Sequence, residues 1–207
     1  MYIKKLVYEH VGPIKNVQIN MPLNEKGSPK PVIFVGENGS GKSTVLSNIV
    51  DAFYEVAGKA FNNARQPDDD SGHQYYKTIA PIEITTGQQY MFSYIAFQDT
   101  KEHSYVYKCG NLLVADLKQK LGLETKTDLN WSEKVNFKHT SFDKDTVNRI
   151  WGNNVVCYFG PDRYEKPAWM GEKYHAIEEY AHPSLRTSWN GKLDTPISVK
   201  DVVSVNH

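Results

Sequence analysis

The fold is decided by Gly36-Glu37-Asn38-Gly39-Ser40-Gly41-Lys42-Ser43. This stretch satisfies the pattern G-x-x-x-x-G-K-[ST], and it lies between an apolar run and an amphipathic run, which is the context that the pattern requires. Glycines allow the backbone to turn its N–H groups toward an anion, and a following helix adds its positive N-terminal end. The stretch therefore predicts a phosphate-binding loop between a strand and a helix.

Each residue of this loop has an expected role toward a bound phosphate chain. Lys42 is expected to reach the β- and γ-phosphates, Ser43 to coordinate Mg²⁺, and Thr44 to hydrogen-bond the α-phosphate. The backbone that would cradle the phosphates belongs to Gly36, Glu37, Asn38, Gly39, Ser40 and Gly41.

The elements around the loop follow from hydrophobic periodicity. Residues 2–9 and 14–20 predict two strands of a hairpin, joined at a turn that contains Gly12 and Pro13. The run Pro-Val-Ile-Phe-Val at 31–35 predicts a buried parallel strand that leads into the loop. From Ser43 onward, apolar residues recur at steps of three and four, which predicts a helix that ends near Gly58.

The chain beyond this helix predicts a mostly antiparallel region. Residues 60–72 predict an exposed loop, and the alternating segments 78–86, 89–98 and 103–109 predict a meander of strands. Tyrosine and phenylalanine rows on the meander are expected to pack within the sheet rather than to stack on nucleic-acid bases.

Further along the chain, two helices and one more strand are predicted. Leucines before Gly122 predict a short helix, and Asp143 is expected to cap a helix that runs through Trp151. The run at 155–159 predicts a buried strand. We therefore expect three regions: an ATPase-type core at 1–59, a loop with an antiparallel lobe at 60–150, and a return to the core at 151–207.

Composition restricts the classes of protein that fit the sequence. The 207 residues include 24 basic and 24 acidic side chains, so the whole chain lacks the net charge of a nucleic-acid or membrane-surface binder. No apolar run approaches the length that crosses a bilayer. The two cysteines and seven histidines show no metal-binding spacing, and the chain is expected to be cytoplasmic.

Residues 11–16 (Val-Gly-Pro-Ile-Lys-Asn) and 34–46 resemble the N-terminal head of the SMC/RecF class of ABC-type ATPases, in which an asparagine such as Asn38 is typical of the loop. The resemblance implies an α/β P-loop fold with an antiparallel lobe inserted after the first helix. It also implies ATP and Mg²⁺ as ligands and a head-to-tail dimer of two heads. Lys15 and Asn16 are then candidates for contact with the nucleotide, with exposed edge residues as the alternative. Gln98 is a candidate for the glutamine that contacts Mg²⁺, with an ordinary glutamine at a hairpin end as the alternative.

Residues 159–169 look like a segment of anti-phage defence ATPases, the PtuA-like proteins of Septu and certain retrons. Arg163 in this segment is expected to reach a phosphate or a carboxylate, with a surface ion pair as the alternative. Asp162 follows an apolar strand but precedes Arg163 rather than glutamate, so it is not interpreted as the Walker B aspartate.

The sequence lacks the signature motif and the Walker B carboxylates that complete such a head. We therefore expect either that the chain is the N-terminal part of a longer ATPase, the favoured interpretation, or that another polypeptide supplies these parts. The expected function is an ATPase subunit whose dimerisation regulates a nuclease or a DNA- or RNA-directed activity, and the resemblance implies a role in anti-phage defence. The alternative is a non-hydrolysing module that ATP stabilises. A small-molecule kinase is disfavoured because the chain has few arginines.

Overall fold

A computed structural model describes residues 1–61, 79–153, 157–159 and 198–200. The described part is a mixture of α-helices and β-strands, with one short 3-10 helix at Pro81–Glu83. In chain order the elements are β1 (Tyr2–Val11), β2 (Ile14–Asn20), α1 (Lys42–Ala57), β3 (Tyr90–Gln98), β4 (Glu102–Gly110), α2 (Val114–Leu121), β5 (Phe137–Thr140), α3 (Lys144–Asn153), β6 (Cys157–Phe159) and β7 (Ser198–Lys200).

Five of these strands form one antiparallel sheet in the order β2-β1-β3-β4-β5. Strand β1 lies between β2 and β3, so that Tyr8 pairs with Val17 on one side and with Ser93 on the other. The predicted opening hairpin and the strands that follow α1 are therefore parts of a single sheet. Strand β2 is an edge strand, and its exposed polar side chains suit an edge that stays unpaired.

The central strands are buried on both faces. In β3 and β4 every residue between the two terminal ones is buried. Helix α2 and the segment that follows it cover one face, where they pack on side chains of β1, β3, β4 and β5. The members of this cluster are Val7, Phe92, Tyr94, Ala96, Val106, Leu112, Val114, Leu117, Leu121, Leu123, Trp131 and Phe137. The aromatic rows of the meander are thus core residues, as expected.

The helices begin and end close to the predicted positions. Helix α2 ends at Gly122, which takes the left-handed conformation at φ +68° that a glycine adopts without strain. The Asp143 carboxylate accepts a hydrogen bond from the Thr146 N–H at 2.8 Å and caps the start of α3. Within the described ranges, none of the helices has the length and apolar character to cross a membrane.

Two strand predictions are wrong. The run at 31–35 forms no strand, and Ile33 and Val35 are 84% and 89% exposed. Its apolar pattern is that of a buried strand, but no neighbouring strand within the described residues pairs with it. In the segment 78–86, residues 81–83 form the 3-10 helix and only Ile84 makes an isolated bridge, to Val11. Pro81 lacks the N–H that a strand ladder needs, and it starts the short helix instead.

The chain divides into two compact units. One comprises Met1–Asn48 with Ile79–Ser141, and the other comprises Ile49–Thr78 with Phe142–His207. The first contains the five-stranded sheet. In the second, Phe53 of α1 meets Trp151 of α3 edge to face with ring centroids 6.0 Å apart, and β6 pairs with β7 in parallel. The three regions expected from the sequence stay a prediction.

Candidate phosphate-binding loop

Two glycines give the loop before α1 its shape. Gly39 and Gly41 have φ values of +80° and +95°, which side chains with a Cβ adopt only with strain. Between them the Ser40 N–H donates to the Glu37 carbonyl at 3.2 Å and closes a turn. Residues 36–40 are exposed, so this loop is held by its own backbone conformation rather than by burial.

The N-terminal end of α1 offers a set of unpaired backbone donors. The first N–H of the helix to find a carbonyl is that of Val45, which donates to Gly41 at 3.0 Å. The N–H groups of Lys42, Ser43 and Thr44 precede it and make no hydrogen bond with the described residues. Three adjacent donors at a positive helix end are suited to bind a phosphate group.

The Lys42 side chain folds over the loop. Its ammonium group donates to the Gly36 carbonyl at 2.9 Å, to the Glu37 carbonyl at 2.7 Å and to Ser40 Oγ at 3.4 Å. These contacts hold a positive charge at the opening of the loop, next to the free N–H groups. The Ser43 side chain is exposed one residue further on, where its hydroxyl is accessible to a metal ion.

The turn of the opening hairpin packs directly against this loop. A Cβ on Gly41 would lie 2.5 Å from Ile14 Cγ1 and 3.4 Å from Pro13 Cγ. Such an approach leaves no room for any residue larger than glycine. The pattern that identifies the loop does not reveal this contact, because the residues that make it are 27 positions or more apart in the sequence.

The structure does not bring all the predicted site residues together. Lys15 and Asn16 follow Ile14 in β2, so they are exposed close to the loop, and their role toward a nucleotide stays a prediction. Gln98 pairs with Tyr2, at the opposite end of β1 from the turn. Ten residues of strand separate the two ends by about 30 Å. The described structure therefore gives no shared metal site for Gln98 and Ser43. Asp162 and Arg163 lie outside the described residues.

A segment that the sequence did not indicate as part of the site is fixed beside the same turn. The Gly12 N–H donates to the Glu83 carbonyl at 2.6 Å, and Thr85 Oγ1 donates to the Gly12 carbonyl at 2.6 Å. The Thr85 N–H donates to the His10 carbonyl at 3.0 Å. No motif marks this segment. Only the pairing of the hairpin turn with residues more than 70 positions later brings Glu83 to the loop.

A buried ionic group lies at the same end of the sheet. The Glu9 carboxylate accepts hydrogen bonds from the Tyr90 hydroxyl and from Lys120 Nζ, the latter at 2.9 Å. Burial raises the pKa of Glu9, but the two hydrogen bonds and the Lys120 charge outweigh it and hold the pKa below its ordinary value. The same hydrogen bond stabilises the charged form of Lys120 and raises its pKa. Glu9 is thus ionised and fixed at the end of β1 that leads into the hairpin turn.

The glycine loop, its free N–H groups and the lysine at its opening define a P-loop nucleotide-binding protein. A family model described as an AAA domain (AAA_23) matches residues 5–182, and the chain belongs to this family. The family comprises AAA-type ATPases and is found in SMC/RecF-like proteins, so nucleotide binding with ATPase activity is the general function. The comparison with curated proteins finds no match.

Proposed function

We propose that residues 36–44 bind ATP together with Mg²⁺ in this AAA domain. The observation that carries the proposal is the set of three N–H groups at residues 42–44 that bond to none of the described residues, together with the Lys42 ammonium held over the loop carbonyls. Hydrogen bonds from these donors would hold the β-phosphate, because they converge at the end of a helix whose dipole favours negative charge.

Three side chains would complete the binding of the triphosphate. Lys42 would exchange its contacts with the loop carbonyls for the β- and γ-phosphates, and Thr44 would donate its hydroxyl to the α-phosphate. Ser43 would hold the metal through its hydroxyl oxygen. Mg²⁺ supplies charge neutralisation between the β- and γ-phosphate oxygens when it is bound.

The binding experiment compares the whole chain with Lys42→Ala by calorimetric titration of Mg·ATP. Loss of the ammonium group removes charge-assisted hydrogen bonds, so we expect an affinity at least about 100-fold lower. Lys134→Ala is the matched control, because Lys134 is an exposed lysine of the same unit that contacts no part of the loop. Equal affinities of the wild type and Lys42→Ala would contradict the proposal.

We further propose that the domain is an SMC/RecF-like head that pairs head to tail with a second copy around ATP. The exposed loop supports this proposal, since residues 36–40 leave one side of a bound triphosphate open to a second surface. Sequence resemblance supports the finer role, in which ATP-dependent assembly regulates a nuclease or a DNA- or RNA-directed activity in anti-phage defence. A nucleotide-stabilised module without turnover is the alternative.

Sedimentation of the full-length protein with and without Mg·ATP tests the pairing. We expect the mass to double with ATP in the wild type and to stay that of one chain in Lys42→Ala. Phosphate release under the same conditions separates the two roles: turnover that rises with the dimer population indicates an ATPase head, whereas a stable dimer without turnover indicates the non-hydrolysing module. A mass that ATP does not change would contradict the head-to-tail pairing.

A further inference from the structure

The Glu83 carboxylate lies beside the hairpin turn and Thr44 of the loop. Among the described residues no side chain or backbone group forms a hydrogen bond or an ion pair with it. The side chain is only partly accessible to solvent, because backbone hydrogen bonds hold its segment against the hairpin turn. A carboxylate that is partly withdrawn from water and has no protein donor favours a ligand that supplies one.

The backbone fixes where this carboxylate lies. The Glu83 carbonyl accepts from the Gly12 N–H, and the next residue, Ile84, bridges to Val11. Thr85 adds two more hydrogen bonds to the turn, one from its N–H and one from its hydroxyl. The backbone of Glu83 is therefore fixed relative to the turn that packs on Gly41, and this does not depend on what the Glu83 side chain contacts.

Glu83 and Thr44 face one point beside this turn. The position that a Cβ of Gly12 would occupy lies 3.3 Å from Glu83 Oε2 and 3.9 Å from both Oγ1 and Cγ2 of Thr44. Glycine at residue 12 leaves this point open between a carboxylate and a hydroxyl. Thr44 is the residue assigned to the α-phosphate, and the group bonded to the α-phosphate of a nucleotide is the ribose.

We propose that Glu83 accepts a hydrogen bond from a ribose hydroxyl of the nucleotide and so selects nucleotides whose sugar carries that hydroxyl. This inference rests on the proposed binding of ATP at residues 36–44. The negative charge of Glu83 repels phosphate oxygens and attracts hydroxyl donors, which orients the sugar end of the ligand toward the turn. Carboxylates accept from ribose hydroxyls in the same way in dinucleotide-binding folds.

The test measures the affinity of the full chain for four ligands in the presence of Mg²⁺: ATP, 2′-deoxy-ATP, 3′-deoxy-ATP and inorganic triphosphate. We expect at least one deoxy analogue to bind about tenfold more weakly than ATP, as for the loss of one charge-assisted hydrogen bond. Glu83→Ala is expected to lower the affinity for ATP to that of this analogue and to leave the affinity for triphosphate unchanged. Glu25→Ala, in an exposed loop of the same unit, is the control.

A conservative variant provides a second test of the Glu83 charge. Glu83→Gln preserves the shape of the side chain, so it tests the charge even if Glu83→Ala unfolds; we expect it to reduce the preference for ATP. Equal binding of ATP and both analogues by the wild type, together with triphosphate binding that depends on Lys42, would overturn the role of Glu83 and leave the proposed function intact. No binding of ATP or triphosphate would overturn both.

Discussion

Two apolar runs of this chain differ in burial: one is enclosed in the sheet and the other is exposed to solvent. In β3 (Tyr90–Gln98) all seven interior residues are buried, and Ile95 is fully inaccessible. In the run at 31–35, Ile33 is 84% exposed. The two runs are similar in composition, but β3 has a strand on each side and helix α2 on one face. An apolar run therefore becomes a buried strand only where other strands and helices surround it.

The loop that follows the exposed run has its shape for a different reason. Gly39 and Gly41 set its backbone, Lys42 closes over it, and α1 begins behind it. The sheet depends on burial of side chains, whereas the loop depends on backbone conformation and one close contact with Ile14. Substitutions in the sheet should therefore affect stability. Substitutions in the loop should affect nucleotide affinity and, at the two glycines that set its backbone, stability as well.

The largest effect on stability is expected from a matched pair of isoleucines. Ile95→Ala removes side-chain atoms from a filled core and should lower the free energy of unfolding by about 2–5 kcal/mol. Ile33→Ala changes an exposed side chain and should cost less than about 0.5 kcal/mol. Urea unfolding of both variants measures the difference. A cost for Ile33→Ala as large as that for Ile95→Ala would show that the run at 31–35 is buried in solution.

A smaller effect is expected from a matched pair of glycines in the loop. Gly41→Ala adds a Cβ 2.5 Å from Ile14 Cγ1 at a left-handed φ, and should destabilise by about 2 kcal/mol or more. Gly39→Ala has the same backbone strain but open space around the new Cβ, and should cost about 1 kcal/mol. Thermal unfolding and Mg·ATP titration of each variant provide the comparison. If Gly39→Ala proved the more harmful, the contact between turn and loop would not be what shapes the site.

The smallest effect on stability is expected at Glu9, which lies near the end of β1. Because its folded pKa is below the ordinary value near 4.5, ionised Glu9 stabilises the fold above that pH, and this contribution is lost as the pH falls through the folded pKa. Glu9→Gln should therefore cost about 1–2 kcal/mol at pH 7, and the cost should disappear as the pH falls through the lowered folded pKa of Glu9. Urea unfolding across this pH range measures the change.

Glu102 is the control for the buried carboxylate. The hydrogen bond from Lys4 lowers the pKa of Glu102 in the same direction, but the Lys4 side chain is 51% exposed. Glu102→Gln should therefore cost less than about 1 kcal/mol at pH 7. Equal costs for the two variants would mean that burial adds nothing to the contribution of Glu9.

Much of the fold was predictable because its signals are local. The hairpin strands, β3, β4, α1 and α2 follow from periodicity, and the cap at Asp143 follows from one side chain and its neighbours. Strand β5 was missed, since four residues give too short a pattern to detect. The segment at 81–83 was assigned to a strand although Pro81 cannot donate to a ladder.

The loop itself was predictable, and its surroundings were not. A fixed pattern of glycines and lysine carries the chemistry of phosphate binding, so residues 36–44 are recognisable without any structure. Glu83 belongs to no pattern, because what places it beside the turn and Thr44 is the pairing of the hairpin turn with a distant part of the chain. Gln98 shows the reverse case, since a residue of a plausible type in β3 pairs with Tyr2, at the end of β1 opposite to the turn.

The sequence by itself determined the phosphate-binding loop, the helix behind it and the alternation of the sheet strands, because each depends on residues close together in the chain. Tertiary structure alone decided that hairpin and meander form one sheet, that Ile14 touches Gly41, and that the run at 31–35 stays exposed. The physical reason is that burial and close contact depend on which distant segments meet, and local periodicity carries no information about that.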